Sequence, residues 1–437
     1  MREALRRAAT TAAGIEPVRR AGLVTRAVGL AVESIGPSVA VGEECRLESA
    51  EGGLLSLAEV VGFEGTRIYS MPIDPVRGLK HGDRLVATGR HPRIAVGDAL
   101  LGRVLDAAGE PLDGKGQVAG AATRPIYAEP VPAMCRPRIA EPMPTGIRAL
   151  DGLITLGRGQ RIGIFAGAGV GKSRLLGGIA RHAADEVIVI ALVGERNREV
   201  REFIEGELGP AGLARSVVFV ATSDESPLRR VRCALAATTV AEDFRRRGRN
   251  VTLLMDSLTR VAMALREIGL ATGEPPSTKG YTPSVFAFLP RLLERAGREE
   301  GSGAMTGIYA VFVEGDDLND PVSDNARAIL DGHIVLARRL AERGHYPAID
   351  VLGSVSRVMP QVISPEHEQA AIRMRRLMAV YREHEDLVAI GAYRAGVDAE
   401  LDQAVRCHRA IADFLQQDLA QPSPLPDTVR LLAGATA

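Results

Sequence analysis

Tryptophan is absent from this sequence, and phenylalanine and tyrosine bring the aromatic share to only 4%. A module gripping single-stranded nucleic acid needs stacking aromatics along a basic groove, so the shortage argues against one. Excess charge is missing too, because 54 Lys and Arg face 54 Asp and Glu. Bulk electrostatic attachment to nucleic acid or to an anionic membrane is thereby disfavoured, leaving room only for a local basic patch. Cys45, Cys135, Cys233 and Cys407 are scattered, with no C-x-x-C and no His at ligand spacing. Neither a zinc site nor a disulfide scaffold is expected, and free, mostly buried thiols in a reducing cytoplasm are. No stretch approaches ~18 apolar residues without charge, and the opening MREALRRAATTAAGIEPVRR has no apolar core of signal-peptide length. Any contact with a membrane is expected to be peripheral.

What is present suits an ordinary globular chain: 437 residues, 46% hydrophobic and 25% charged, enough for two or three domains with buried cores. Residues 1–20 carry five Arg and two Glu among Ala and Leu, the pattern of a short basic amphipathic helix. Residues 21–92 break into short apolar or β-branched runs punctuated by glycine, such as GLVTRAVGLAVESIG and LLSLAEVVGF. Closely spaced short strands of this kind predict a small β-barrel or sandwich. GDALLGRVLDAAGEPLDGKG then reads as a strand followed by turns, and prolines 125 to 144 mark an extended connection. Within residues 93–352 the texture becomes strand, helix, strand, helix. RIGIF, EVIVIALVG, SVVFVA, NVTLLMD, GIYAVFVE and HIVLA are near-continuous apolar runs, as strands buried on both faces of a mostly parallel sheet require. Residues 353–437 read as helical, through PEHEQAAIRMRRLMAVYREHEDL and ELDQAVRCHRAIADFLQQDL.

The chemistry begins at AGAGVGKS, residues 166–173. A phosphate-binding P-loop is G-x-x-x-x-G-K-[ST]; Gly171, Lys172 and Ser173 fit, but Ala166 stands in the place of the first glycine. A strand precedes this loop and a helix follows it. Gly167, Gly169 and Gly171, with Ala168 and Val170 between them, would let backbone amides turn inward around a phosphate at the helix N-terminus. Lys172 would then reach the β- and γ-phosphates and Ser173 would take Mg²⁺, with Arg174 beside them. Ala166 defeats the site only if its backbone needs positive φ. Asp256 closes the run NVTLLMD, where a carboxylate can hold Mg²⁺ through water; taken alone it reads equally as a turn or helix cap. Glu195 and Arg196, in VGERNRE, follow the next strand at the edge where a parallel sheet gathers ligands. They suit a water-orienting base and a phosphate-neutralising arginine, or else a solvated charge cluster opening a helix.

GERNRE, LLMDSLTR, EGDDLNDP and above all PAIDVLGSVSR (347–357) together resemble the catalytic chains of the rotary-ATPase superfamily. Within it, GIRALDGLITLGRGQRIGIFAGAGVGKS, SDESPLRR, GEPPSTKGYTPSVF and DGHIVLARRLAERGHYPAID are most similar to the flagellar export ATPase and its injectisome relatives in type III secretion. The likeness runs from about Gly22 to Gln417 and implies an α/β architecture: an N-terminal β-barrel, a central RecA-like P-loop ATPase domain and a C-terminal helical domain. Members of this family open the P-loop with Ala as well as Gly. Carried over by the resemblance, Lys172 and Ser173 are the phosphate and Mg²⁺ ligands, Glu195 the catalytic carboxylate, Asp256 the holder of Mg²⁺-bound water, and Arg196 and Arg260 phosphate-side arginines. Tyr346 matches the aromatic that stacks on adenine, with Phe414 a second candidate for that pocket, and Arg357 matches the arginine finger given to a neighbouring subunit.

The resemblance therefore implies ATP as substrate with Mg²⁺, and a homohexamer at the inner face of the cytoplasmic membrane. The implied partners are a regulator or stator, a central stalk protein, a membrane export gate and chaperone-bound substrates, with no nucleic acid. GYTPSVFA and ATSDESPL lean flagellar rather than injectisome. One departure bears on direction: where rotary synthases carry an acidic loop against the rotor, GAYRAGVDAE (391–400) is mixed in charge, which disfavours proton-driven synthesis. A ring-shaped RNA translocase like the terminator Rho shares the ATPase core, and the aromatic shortage argues against it.

Overall fold

The computed structural model describes residues 19–118, 120–183, 185, 187–313, 315, 317 and 320–436. The expected basic helix of residues 1–20 lies outside them except for its last two residues. Two compact units emerge. The first gathers the described residues through Pro92 with Ser226–Arg229 and Glu267–Pro275; the second holds the remainder.

In the first unit, β1 (Ala21–Val28), β2 (Ala31–Ile35), β3 (Glu44–Glu48), β4 (Leu54–Glu64), β5 (Arg67–Pro72) and β6 (Arg84–Arg90) form a closed barrel in the order β1-β2-β5-β4-β3-β6. Closure comes from antiparallel pairing of β1 with β6, Ala21 opposite Val86. Val24, Val32, Leu47, Val60, Ile68 and Leu85 make the barrel core.

The second unit is built on a parallel sheet. A small ribbon, β7 (Arg93–Val96) with β9 (Ala122–Pro125), stands apart from it. The sheet strands are β8 (Arg103–Asp106), β10 (Arg161–Ala166), β11 (Val187–Glu195), β12 (Ser216–Thr222), β13 (Val251–Asp256), β15 (Ala304–Phe312), β16 (Gly332–Leu336) and β17 (Val355–Ser356), with the two-residue β14 (Gly297–Arg298) beside β15. Their spatial order is β17-β16-β10-β15-β13-β11-β12-β8. All pairings are parallel except β16 with β17 and β14 with β15. The apolar runs seen in the sequence are these strands, buried on both faces except in β16, where His333 and Val335 are half-buried. The strand read in GRVLD is β8, at the far edge of the same sheet.

The C-terminal helices Pro365–Ala389, Ala399–Leu415 and Leu425–Gly434 belong to this unit. Ser364 caps the first by accepting from His367 N–H, and Asp398 caps the second by accepting from Glu400 and Leu401 N–H. Ala371, Met374 and Leu377 on one helix, and Ala404, Cys407, Ile411 and Phe414 on the next, recur at helical spacing and complete the core that the sheet begins. No helix among the described residues is long and apolar enough to cross a membrane.

Candidate active site

Three strands deliver the chemistry to one edge. β10 ends at Ala166, β11 at Glu195 and β13 at Asp256, and parallel pairing puts all three carboxyl ends on the same side of the sheet. Ala166 is a buried strand residue and is not in a positive-φ conformation; the loop's left-handed positions are Gly169 (φ 78°) and Gly171 (φ 91°). The residue that breaks the motif thus sits where alanine costs nothing, and the glycines sit where a side chain would strain the loop. Helix Lys172–His182 starts directly after the loop. Gly167 and Val170 are buried, while Ala168, Gly169 and Ser173 are exposed at the loop's outer surface.

Lys172 Nζ forms a close ion pair with Asp256 Oδ1 and lies 3.6 Å from Glu195 Oε1. Burial pulls the lysine's pKa down, but the two carboxylates outweigh it and the net shift is upward, so the ammonium persists at neutral pH. Burial pushes Glu195 up to about 7; the charge of Asp256 adds to that and Lys172 opposes it. A carboxylate poised there exchanges a proton at working pH, as a general base must. The Asp256–Ser257 peptide beside it is cis.

Glu195 owes its position to Gly194. The pairing register of β11 with β12 shifts between Val193 and Glu195, and Gly194 takes φ 70°. A bulge of this kind re-aims the side chain that follows it. A Cβ on Gly194 would lie 2.9 Å from Arg260 Cβ, so the arginine's stem crosses the glycine. Gly194→Ala is expected to lose roughly 1–3 kcal/mol from backbone strain alone. It should lower Tm by several degrees and reduce turnover by moving Glu195 and Arg260; an unchanged Tm by calorimetry would contradict this.

A cleft of about 510 Å³ adjoins the loop, lined by Gly171, Arg174, Leu175, Tyr346 and residues 417–420 among others. Its size suits a small ligand. Tyr346 is 40% exposed, and its ring would lie 3.5 Å from a Cβ on Gly171. Arg174 stands at the rim, 3.9 Å from Glu207.

Three expected site residues are not in this cluster. Phe414 is 5% exposed, belongs to the core, and its ring would lie 3.0 Å from a Cβ on Gly152. Its helix turns it inward with Ile411, and Gln417 to Ala420 line the cleft in its place. Arg196 opens the helix Asn197–Glu202 with an 82% exposed side chain, 3.5 Å from Glu199. It does not reach the Lys172 cluster, because the helix start directs it to solvent. Arg260 is exposed and rests on Met263 Sδ at 3.8 Å.

Arg357 is placed differently again. Its backbone N–H donates to Asp331 O at 3.0 Å, and Asp331 N–H donates to Arg161 O at 2.8 Å. Arg161 begins β10, whereas the P-loop follows its end, so Arg357 belongs to the opposite edge of the sheet. Five steps of strand separate the two edges, ~16 Å at the usual rise, beyond one side chain's reach. The Arg357 side chain is exposed, and no described acceptor of its own chain holds it.

Glu207 and the 417–420 segment carry no sequence signal. Glu207 lies on an irregular, π-type helical turn, Phe203–Leu208, and the segment follows a helix end far along the chain. Of the motif EGDDLNDP, residues 314, 316, 318 and 319 lie outside the described residues.

A half-buried lysine between two carboxylates, at the mouth of a glycine loop on a parallel sheet, defines a RecA-like P-loop ATPase. The profile of the ATP synthase alpha/beta family nucleotide-binding domain matches residues 146–356, its beta-barrel domain residues 24–89, and the T3SS EscN ATPase C-terminal domain residues 363–434. The flagellum-specific ATP synthase of Bacillus subtilis is 50% identical over 96% of this chain and 95% of its own length. The type 3 secretion system ATPase of Xanthomonas euvesicatoria is 52% identical over 99% and 96%. The structure of the assembled ATPase EscN from the enteropathogenic E. coli type III secretion system superposes with a TM-score of 0.91 at 44% identity, covering 95% of this chain and all of that one. EscN in complex with its central stalk EscO superposes at 0.88 and 43%. The chain belongs to the family of flagellar and type III secretion ATPases, and its reaction is ATP hydrolysis.

Proposed function

We propose that this ATPase works as a homohexameric ring that energises protein export through a flagellar type III secretion apparatus, docking chaperone-bound substrates and releasing or unfolding them. The observation that carries the ring is Arg357, exposed at the sheet edge opposite its own P-loop. A finger there serves a neighbour's phosphates, and since Glu195 and Arg357 share one polypeptide, identical subunits complete every site.

In this reading the loop amides of Gly167 to Gly171 and Lys172 hold the phosphates, Tyr346 stacks on adenine, and Glu195 orients and deprotonates the attacking water. An arriving phosphate competes with Asp256 and Glu195 for Lys172, freeing both carboxylates for water. Arg260 would serve the phosphate side only by leaving Met263, and Arg196 only by leaving Glu199. Mg²⁺ would be held by Ser173 directly and by Asp256 through water, and supplies neutralisation of phosphate charge. Among the described residues no cluster of three or more His, Cys, Asp or Glu could hold a metal. A sparse donor set suits Mg²⁺, which keeps phosphate oxygens and waters as most of its ligands.

The stalk contact is supported by EscN, a relative solved with its central stalk. The regulator, the export gate and a peripheral site at the inner membrane face complete the proposed setting. Relatives named for flagella and for type III secretion are equally similar, so GYTPSVFA and ATSDESPL carry the flagellar preference. Neighbouring genes for rod, hook and C-ring favour it; needle and translocator genes favour the injectisome. The ring itself is tested by specific ATPase activity against protein concentration. Activity is expected to climb steeply where hexamers form by mass photometry; a flat profile across that range would sink the shared-site mechanism.

A further inference from the structure

A second cavity, of about 280 Å³, lies between the segment after β16, with its short helix Arg338–Glu342, and the two long C-terminal helices, and none of the roles above uses it. Its floor is apolar, with Leu340, Ile349, Leu377, Ile411 and Leu415. Tyr381 and His408, also in the lining, stack with centroids 3.6 Å apart and planes 11° from parallel. Burial lowers the His408 pKa, so this aromatic wall is uncharged at neutral pH.

The rim carries the charge. Arg339 pairs with Asp350 at 2.7 Å and Arg343 with Glu385 at 2.7 Å. Arg382, 48% exposed, reaches the shared Asp350 only at 3.8 Å. Three guanidinium groups thus face two carboxylates, and Arg382 is the least compensated. An apolar floor beneath one surplus positive charge selects an amphipathic monoanion. An apolar cavity of ~150 Å³ accommodates one benzene ring, so this volume suits a body of two fused rings.

The cavity shares a partition with the nucleotide cleft. His345 and Gln416 line the cavity, and the next residues in each segment, Tyr346 and Gln417, line the cleft. The two segments are tied together: Gln417 N–H donates to Tyr346 O at 3.0 Å, and Gln416 Nε2 lies 3.3 Å from His345 Nδ1. A ligand pressing on one face of this partition alters the other.

We propose that this cavity is an effector site for a two-ring aromatic monocarboxylate, whose occupancy changes nucleotide affinity through the shared partition. The coupling rests on the cleft being the adenine pocket; binding of the carboxylate does not. The test is calorimetric titration of the full-length protein with 2-naphthoate. Saturable one-site binding is expected, with the neutral analogue 2-naphthol weaker by about tenfold or more. Arg382→Glu should weaken 2-naphthoate by a similar factor, and Ala412→Phe, at a partly exposed lining position, should abolish binding. ADP affinity without the probe should be unchanged in Arg382→Glu, which leaves the cavity unfilled. Saturating 2-naphthoate should shift wild-type ADP affinity by about fivefold or more, and ADP should shift 2-naphthoate affinity by the same factor. Absence of saturable binding, or binding that survives both substitutions, overturns the site. Binding that leaves ADP affinity unmoved overturns the effector role. Failure of ADP to bind wild type would overturn the adenine-pocket reading and the coupling together, while the 2-naphthoate titration still decides the cavity.

Discussion

Replacing Arg357 by alanine is expected to lower ATP turnover by ~10³- to 10⁵-fold, the effect of losing an arginine finger, while ADP affinity and assembly stay near wild type. The loss corresponds to roughly 4 to 7 kcal/mol of transition-state stabilisation. It is argued from position: Arg357 is exposed, and its backbone is fixed by Asp331 at the start of β16, across the sheet from Lys172. Truncating an exposed side chain that no described residue of its chain holds should leave the fold intact, so calorimetry should show little change in Tm. A mixing experiment separates a finger given to a neighbour from one used at home. Arg357→Ala and Glu195→Gln subunits, each nearly inactive alone, should regain activity together, because about a quarter of interfaces in a random equimolar ring join an intact finger to an intact carboxylate. If the mixture stays as inactive as its parts, the finger does not act between subunits.

Glu195→Gln is expected to reduce kcat by ~10²- to 10⁴-fold, the usual contribution of a positioned general base, with ADP binding retained. The pH dependence supplies the sharper check. Burial and the Asp256 charge raise Glu195 to about 7 in the free enzyme, and a base works only when deprotonated. In wild type, kcat/KM, which reports the free enzyme, should therefore rise with pH through an acid limb centred near 7. The limb should vanish from the residual activity of Glu195→Gln. An acid limb that persists unchanged in the variant would assign the titration to another group.

Much of this was legible before any coordinates. Six apolar runs became the central strands because a strand covered on both faces needs apolar residues at successive positions, and that demand is written locally. The P-loop was legible for a similar reason, since glycine spacing reports backbone conformation directly. Phe414 shows where a resemblance misleads: it implies a second aromatic for the adenine pocket, yet Leu401, Ala404, Cys407, Ile411 and Phe414 share one buried helix face. That spacing was present in the sequence and outranks residue type. Arg196 shows a different limit, because nothing in GERNRE says which way the first turn of a helix aims its side chain. Gly194 has no role that GERNRE alone can show, since its role appears only when β11 pairs with β12 and Arg260 crosses it.

The sequence by itself determined the six central strands and the glycine-loop pattern of residues 166–173, and it marked Glu195 and Asp256 as candidates at strand ends. Tertiary structure alone decided the order of strands, the joining of Lys172, Asp256 and Glu195, the partition between cleft and second cavity, and the placing of Arg357 at the far edge. The physical reason is range. Periodicity and glycine content record each residue's own burial and backbone freedom. Strand order and side-chain meetings depend on pairings between segments far apart in the chain, such as Asp331 with Arg161 or Gln417 with Tyr346, which no local pattern encodes.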